Sequence, residues 1–185
     1  MTVRTIAVIG AGALGRRVAL ASVVAGYRVV LEDVSRQSLE QSFEWLKSEM
    51  ERSVVTDKTE AAAREEMRSR LTTAANIEDA IRDADLIIET VPDELEMKLE
   101  LFTIFDKFAK PDAIFASTTS ALSVSDVTDV VVFRERCIGM RFQSDGKGKE
   151  VIEIVKTPLT SEQTVAACDA VASRLASAVV ITDEA

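Results

Sequence analysis

The sequence predicts an α/β domain built on a doubly wound, mostly parallel sheet with a helical-hairpin insertion. Three observations carry that expectation. Short apolar β-like runs alternate with helical stretches along the chain. The first run, Thr5 to Ile9, empties into a glycine-spaced turn that opens directly into an alanine-rich helix. One interval alone, residues 35–70, is too long and too charged for a simple alternation.

Taken in order, the β-like runs are 5–9, 29–32, 71–73, 86–89, 114–117, 137–142, 151–155 and 179–181, each rich in Val, Ile, Leu or Phe. Helical patterns fill 13–25, 94–108 and 161–176. Gly26 closes the first helix, and Ser161, placed after Pro158, caps the last. Within 35–70, Phe43, Leu46, Met50 and Val54 recur on one helical face, and the length accommodates two helices standing off the sheet as a hairpin. Its seven basic and eight acidic residues read as a solvated surface. Neither an internal repeat nor a low-complexity linker divides the chain, so residues 1–185 are expected to form one domain carrying this insertion.

Residues Gly10, Ala11, Gly12, Ala13, Leu14 and Gly15 form a GxGxxG turn between strand and helix. Asp33 follows eighteen residues after Gly15, at the end of the second β-like run. In that context the spacing is the dinucleotide fingerprint. Gly10 permits the tight turn, Gly12 lets backbone approach a pyrophosphate, and Gly15 lets helix and strand pack closely. The free N–H groups and dipole at the helix start favour phosphates. Asp33 accepts hydrogen bonds from ribose hydroxyls and repels a 2′-phosphate, which selects NAD over NADP.

Composition narrows the field further. A net charge of −9 argues against nucleic acid as a partner, because phosphate backbones are bound by basic surfaces. No run reaches the ~18 apolar residues of a membrane span, and Arg16-Arg17 interrupts the apolar N-terminus before it resembles a secretion signal. A cytoplasmic location is the expectation. The two cysteines, Cys137 and Cys168, lack metal or disulfide spacing and read as small core residues. No metal site is expected.

The chain resembles the N-terminal NAD-binding domain of the 3-hydroxyacyl-CoA dehydrogenases, a Rossmann-type fold. The resemblance lies in the glycine turn, in Val-Val-Leu-Glu-Asp33, in the segments Ala84 to Lys98 and Ala116 to Ser123, and in Glu150 to Pro158. It also covers the helical insertion. The family implies cofactor contacts from Thr90, Val91, Asp93, Lys98 and Ser120 toward the nicotinamide. It implies a catalytic role for Ser120 at the substrate oxygen and for Glu153. Read without the family, Ser120 is equally a turn residue, and Asp93 is an ordinary first-turn acid.

Three departures qualify the resemblance. The family carries a histidine base in a Gly-x-His-Phe-Phe-Asn-Pro segment, with a glutamate twelve residues on. Here Arg141 holds the histidine position and Ser144 that of the asparagine, and the sequence contains no histidine. A guanidinium does not deprotonate at working pH, so Arg141 is no base. Arg141 and Glu153 are instead expected to form a structural ion pair whose loss costs on the order of a few kcal/mol, with anchoring of a substrate carboxylate as the alternative role for Arg141. Lys147 and Lys149 are the remaining candidate bases. The second departure is at the C-terminus, where the sequence stops near the point at which the family continues into a helical domain. A partner chain or a second copy is therefore expected to complete the cleft. The third is the charge-balanced insertion, which lacks a basic surplus for a CoA phosphate. Two readings follow. One is an NAD-dependent oxidoreductase acting on a small hydroxyacyl substrate, an acyl thioester by family. The other is an NAD-binding sensor or accessory subunit without turnover.

Overall fold

The computed structural model describes residues 2–53, 60–144 and 150–184. Eight strands form one sheet in the order β3-β2-β1-β4-β5-β6-β7-β8. They are β1 Thr5–Ile9, β2 Arg28–Glu32, β3 Leu71–Thr73, β4 Leu86–Glu89, β5 Ile114–Ser117, β6 Cys137–Ser144, β7 Glu150–Lys156 and β8 Ala178–Asp183. The first six run parallel, β7 turns back antiparallel on β6, and β8 lies parallel to β7. The chain reverses direction across the sheet at β1, which pairs with both β2 and β4. In open α/β sheets ligands bind outside the carboxyl ends of the strands at such a switch point.

The helices are α1 Ala13–Val24, α2 Arg36–Ser53, α3 Glu60–Ser69, α4 Ile77–Ile81, α5 Leu95–Phe108, α6 Val124–Val127 and α7 Glu162–Leu175. Strand alternation feeds two cores. One face of β1 and β4 (Ile6, Val8, Leu86, Ile88) packs with Val18, Ala19 and Val23 of α1 and Cys168 and Val171 of α7. The opposite face (Ala7, Ile9, Ile87) packs with α5 through Phe102 and Phe105, which meet Phe115 of β5 at centroid distances of 6.2 and 5.7 Å. Strands buried on both faces read as the continuous apolar runs seen in the sequence.

Ser161 caps α7 as expected, accepting a hydrogen bond from Thr164 N–H. The insertion is two helices, joined by an Arg68–Glu51 ion pair, and its exposed flanks carry local pairs such as Arg36–Glu40 and Arg70–Glu66. It does not stand clear of the domain. Leu46 and Met50 are buried in the α1-side core, Ser42 Oγ donates to Ala11 O at 2.5 Å, and Arg16 lies over the Trp45 ring. The same apolar face that predicted a helix seats α2 against the glycine turn. Val54, the fourth residue expected on that face, lies outside the described residues.

Both cysteines are buried and unpaired, and burial pushes each thiol up to about 12. Neither is available as a thiolate near neutral pH. Among the described residues no helix is long and apolar enough to cross a membrane. No group of three or more His, Cys, Asp or Glu residues among them could hold a metal ion.

Candidate functional site

The glycine turn is built as its spacing requires. Gly10 sits at φ +103°, a conformation L side chains rarely adopt, and its N–H donates to Glu32 O. A Cβ on Gly15 would lie 1.8 Å from Gly10 O, so only glycine lets α1 start this close to the turn. Gly12 is the opposite case. A Cβ there would meet nothing within 4 Å, because the backbone faces open space. No side chain caps α1 and its first turn holds no acid, so the positive end of the helix is left for an exogenous anion.

Asp33 flanks this opening. Its carboxylate accepts from Ala11 N–H at 2.7 Å and from Ser35 N–H at 2.8 Å, which fixes it beside the turn with lone pairs to spare for two hydroxyls. Three clefts meet at Asp33, one of about 510 Å³ between α2 and the end of β3 past Leu39, Phe43 and Thr73, and two that border the glycine turn. One, of about 170 Å³, runs between the glycine turn and α2 past Gly12, Arg16 and Gln41. The other, of about 300 Å³, is walled by Ile9, Ile77, Val91, Met97, Leu101 and Ile104. A phosphate path, a ribose acceptor and an apolar slot for a purine fit the residues present. The sequence had not marked Glu32, which also lines the apolar cleft.

Thr90 braces the turn from behind, its hydroxyl placed to donate to Ile9 O and Gly10 O at 3.0 and 2.9 Å. The Lys98 side chain is fully buried, with Nζ 2.6 Å from Glu89 Oε1 and 3.3 Å from Asp93 Oδ1, and it donates to Val91 O. Burial pushes the Glu89 carboxyl upward even beside this ammonium, while Ser117 Oγ donates to its other oxygen at 2.8 Å. Lys98 therefore braces Asp93 from the buried side. Asp93 in turn accepts from the N–H groups of Ser120 and Ala121 at 3.1 and 3.2 Å and holds the Ser120 turn in place. Partial burial raises the Asp93 carboxyl, but these donors and Lys98 outweigh it and leave the group below its usual range. Ser120 stays exposed, its Oγ 3.4 Å from Asp93 Oδ2.

Register across the β6–β7 hairpin sets Arg141 opposite Glu153. Arg141 Nε donates to Thr119 O at 2.8 Å, and its Nη1 reaches Glu153 Oε2 at 3.5 Å. Glu153 also accepts from Gln143 at 3.2 Å and from Thr182 at 3.0 Å. The pair exists, but it is loose, and the arginine's better bond is to the carbonyl before Ser120. Gln143, Thr182, Glu89 and Ser117 belong to this cluster and carry no sequence signal beyond their positions at strand ends. Ser144 ends β6 in the open, and Lys147 and Lys149 lie outside the described residues.

Residues 5–185 match the family described as 3-hydroxyacyl-CoA dehydrogenase, NAD binding domain. The hydroxyacyl-coenzyme A dehydrogenase of Rattus norvegicus mitochondria is 30% identical over 167 residues, 88% of this chain and 53% of the rat protein. The 3-hydroxybutyryl-CoA dehydrogenase of Bradyrhizobium diazoefficiens is 29% identical over 182 residues, 98% of this chain and 62% of its own length. Among solved structures, the Escherichia coli 3-hydroxybutyryl-CoA dehydrogenase superposes with a TM-score of 0.88 at 26% identity, over 100% of this chain and 39% of that one. The chain thus spans about half the length of the curated relatives it matches. With the strand order, the glycine turn and Asp33 already in place, the match over residues 5–185 settles the lineage: the chain belongs to the NAD-binding domain family of the 3-hydroxyacyl-CoA dehydrogenases.

Proposed function

We propose that this chain is the NAD(H)-binding part of a 3-hydroxyacyl-CoA dehydrogenase-type oxidoreductase whose own residues orient a substrate oxygen but do not remove its proton. The placement of Arg141 carries this reading. Its guanidinium occupies the position of the family's histidine and is tied to Thr119 O and Glu153. Already fully protonated, it cannot accept one more proton. Glu153 is engaged by Arg141, Gln143 and Thr182, so it offers no free carboxylate to replace the base. Ser120, exposed and held by Asp93, is left as the hydroxyl that can donate to a substrate oxygen. Bound NAD supplies the hydride acceptor. Gly12 and the start of α1 hold its pyrophosphate and Asp33 its ribose, with NAD preferred over NADP. The names of the relatives make a hydroxyacyl thioester the substrate class. The chain spans about half the length of the relatives it matches, and a further domain, a partner chain or a second copy would supply what those relatives carry beyond it. The occupied Glu153 also favours the second reading, an NAD-binding sensor or accessory subunit.

The test is calorimetric titration with NAD and NADP, together with an assay of 3-hydroxybutyryl-CoA oxidation. NAD should bind more tightly than NADP, with oxidation far below the ~10 s⁻¹ typical of enzymes. Turnover at that rate by this chain alone overturns the reading and turns attention to Lys147 and Lys149.

A further inference from the structure

We propose that Glu32 is a second acidic recognition residue of the cofactor cleft, one that takes up a proton as the adenosine half of NAD(H) docks and then donates a hydrogen bond to it. This inference rests on the cofactor reading above. Glu32 ends β2 on the same face as Val30, the face that packs toward α4 and α5. The residue is 4% exposed, and its side chain has no hydrogen-bond or ion-pair partner among the described residues. It lines the 300 Å³ cleft whose other walls are Ile9, Ile77, Met97 and Leu101. Its oxygens are not sealed from solvent and open onto the cleft; a carboxyl in so apolar a slot, with no bonded partner, is costly to ionise and free to meet a ligand.

Every charge that faces it has the same sign. Asp33 adjoins it on the β2 loop, Glu78 comes from α4, and Glu100 from α5 lines the same cleft. β1 contributes only Ile9 and the glycine turn only Gly10, and no lysine or arginine lines the cleft. Burial first, then Asp33 and Glu78, push the Glu32 carboxyl up to about 7. A docked purine removes the remaining water, and the nearby pyrophosphate adds negative charge. Both raise the group further, so binding draws a proton from solvent. The neutral acid then offers one donor beside one acceptor, the pattern an adenine edge matches with its N7 and 6-amino groups. A carboxylate offers acceptors alone.

Affinity should therefore be flat below about pH 7 and fall above it. Each unit between the free and bound values of Glu32 costs up to about tenfold. NAD binding to the full chain is measured by calorimetry at pH 6 and pH 8.5, in two buffers of different ionisation enthalpy. Expected are a Kd at least about tenfold weaker at pH 8.5 and net proton uptake near pH 7.5. ADP-ribose should behave as NAD does. Glu32→Gln should hold one Kd across the range with no proton uptake. A pH-independent Kd for the unaltered chain overturns the inference, as does a pH dependence that survives in Glu32→Gln. Absence of NAD binding by both proteins at every pH overturns the cofactor reading and this inference with it.

Discussion

The two halves of the carboxyl edge of this sheet handle their polar groups in opposite ways. At the glycine turn, the start of α1 is uncapped, the space over Gly12 is open and Glu32 lacks a partner. At the ends of β4 to β7, Glu89, Lys98, Asp93, Arg141 and Glu153 bind one another and the neighbouring backbone. Buried polar groups are normally satisfied, so groups left unbonded but open to a cleft, like Glu32, are free to meet a ligand, whereas a sealed unmet atom such as Glu150 Oε2 on β7 is not. A region that meets them internally is scaffold. The first half is built to receive a cofactor, and the second is built to hold Ser120 still.

The sharpest way to break the comparison lies within the glycine turn itself. Gly15→Ala places a methyl 1.8 Å from a backbone oxygen, so β1 and α1 must separate. A loss on the order of 4 kcal/mol or more is expected, read as a drop of about 10 °C or more in Tm. A Cβ at Gly12 meets no protein atom within 4 Å, so Gly12→Val starts into open space. Tm should hold while calorimetry shows NAD binding abolished, because the branched side chain fills the phosphate path. Equal effects of the two substitutions on stability would erase the distinction between packing and ligand approach.

In the second half the buried pair is the most sensitive point. Lys98→Met strands Glu89 at a site with no exposed side-chain surface, at a cost of about 3–5 kcal/mol by chemical denaturation. Adding Glu89→Gln should recover part of that loss, since exchanging both members of a buried pair is often near neutral. Full additivity of the two substitutions would show that the pair is not coupled.

How much of this was legible in the sequence follows the same division. All eight strands and the cofactor turn were readable, because short apolar runs and the GxGxxG spacing are local patterns. Ser161 was readable as a cap for the same reason. Glu32 was not, since an acid beside Asp33 looks like part of a polar strand end, and only the walls from α4 and α5 show it buried. Glu89, Ser117 and Thr182 meet their partners across 9, 28 and 29 residues, and such contacts leave no pattern along the chain. The resemblance located Lys98 near the cofactor site without showing that its ammonium is buried between Glu89 and Asp93, a contact that no local pattern marks. The seat of the hairpin on the glycine turn was missed because the hydroxyl of Ser42 carries no signal on an otherwise charged helix.

The unmet carboxyl also leaves a mark on stability in the absence of any ligand. Glu32 titrates near 4.5 when unfolded and at about 7 when folded. Between those values the folded state holds more protons, so stability is greatest below about pH 4.5 on this account and declines toward pH 7. The expected size is on the order of 3 kcal/mol. Glu32→Gln should remove that decline from the urea-unfolding profile, and an unchanged profile would place the burden on other carboxylates.

Arg141 should have the smallest effect, and its size decides which of its two contacts matters. The sequence suggested a tight pair with Glu153 worth a few kcal/mol. The geometry corrects that figure downward, because the pair spans 3.5 Å and the two side chains are 24% and 23% exposed. Ion pairs of that kind contribute about 0–1 kcal/mol. Arg141→Ala removes this together with the hydrogen bond to Thr119 O, for a total of about 1 kcal/mol. Arg141→Lys keeps the charge beside Glu153 but loses the Nε donor. If the Thr119 contact dominates, Arg141→Lys should destabilise nearly as much as Arg141→Ala, and both should loosen the turn that carries Ser120. Rescue by lysine would assign the effect to the charge on Glu153. A stable Arg141→Ala protein that no longer binds a small carboxylic acid would make the guanidinium a substrate anchor, and the closed half of the site would then have one opening of its own.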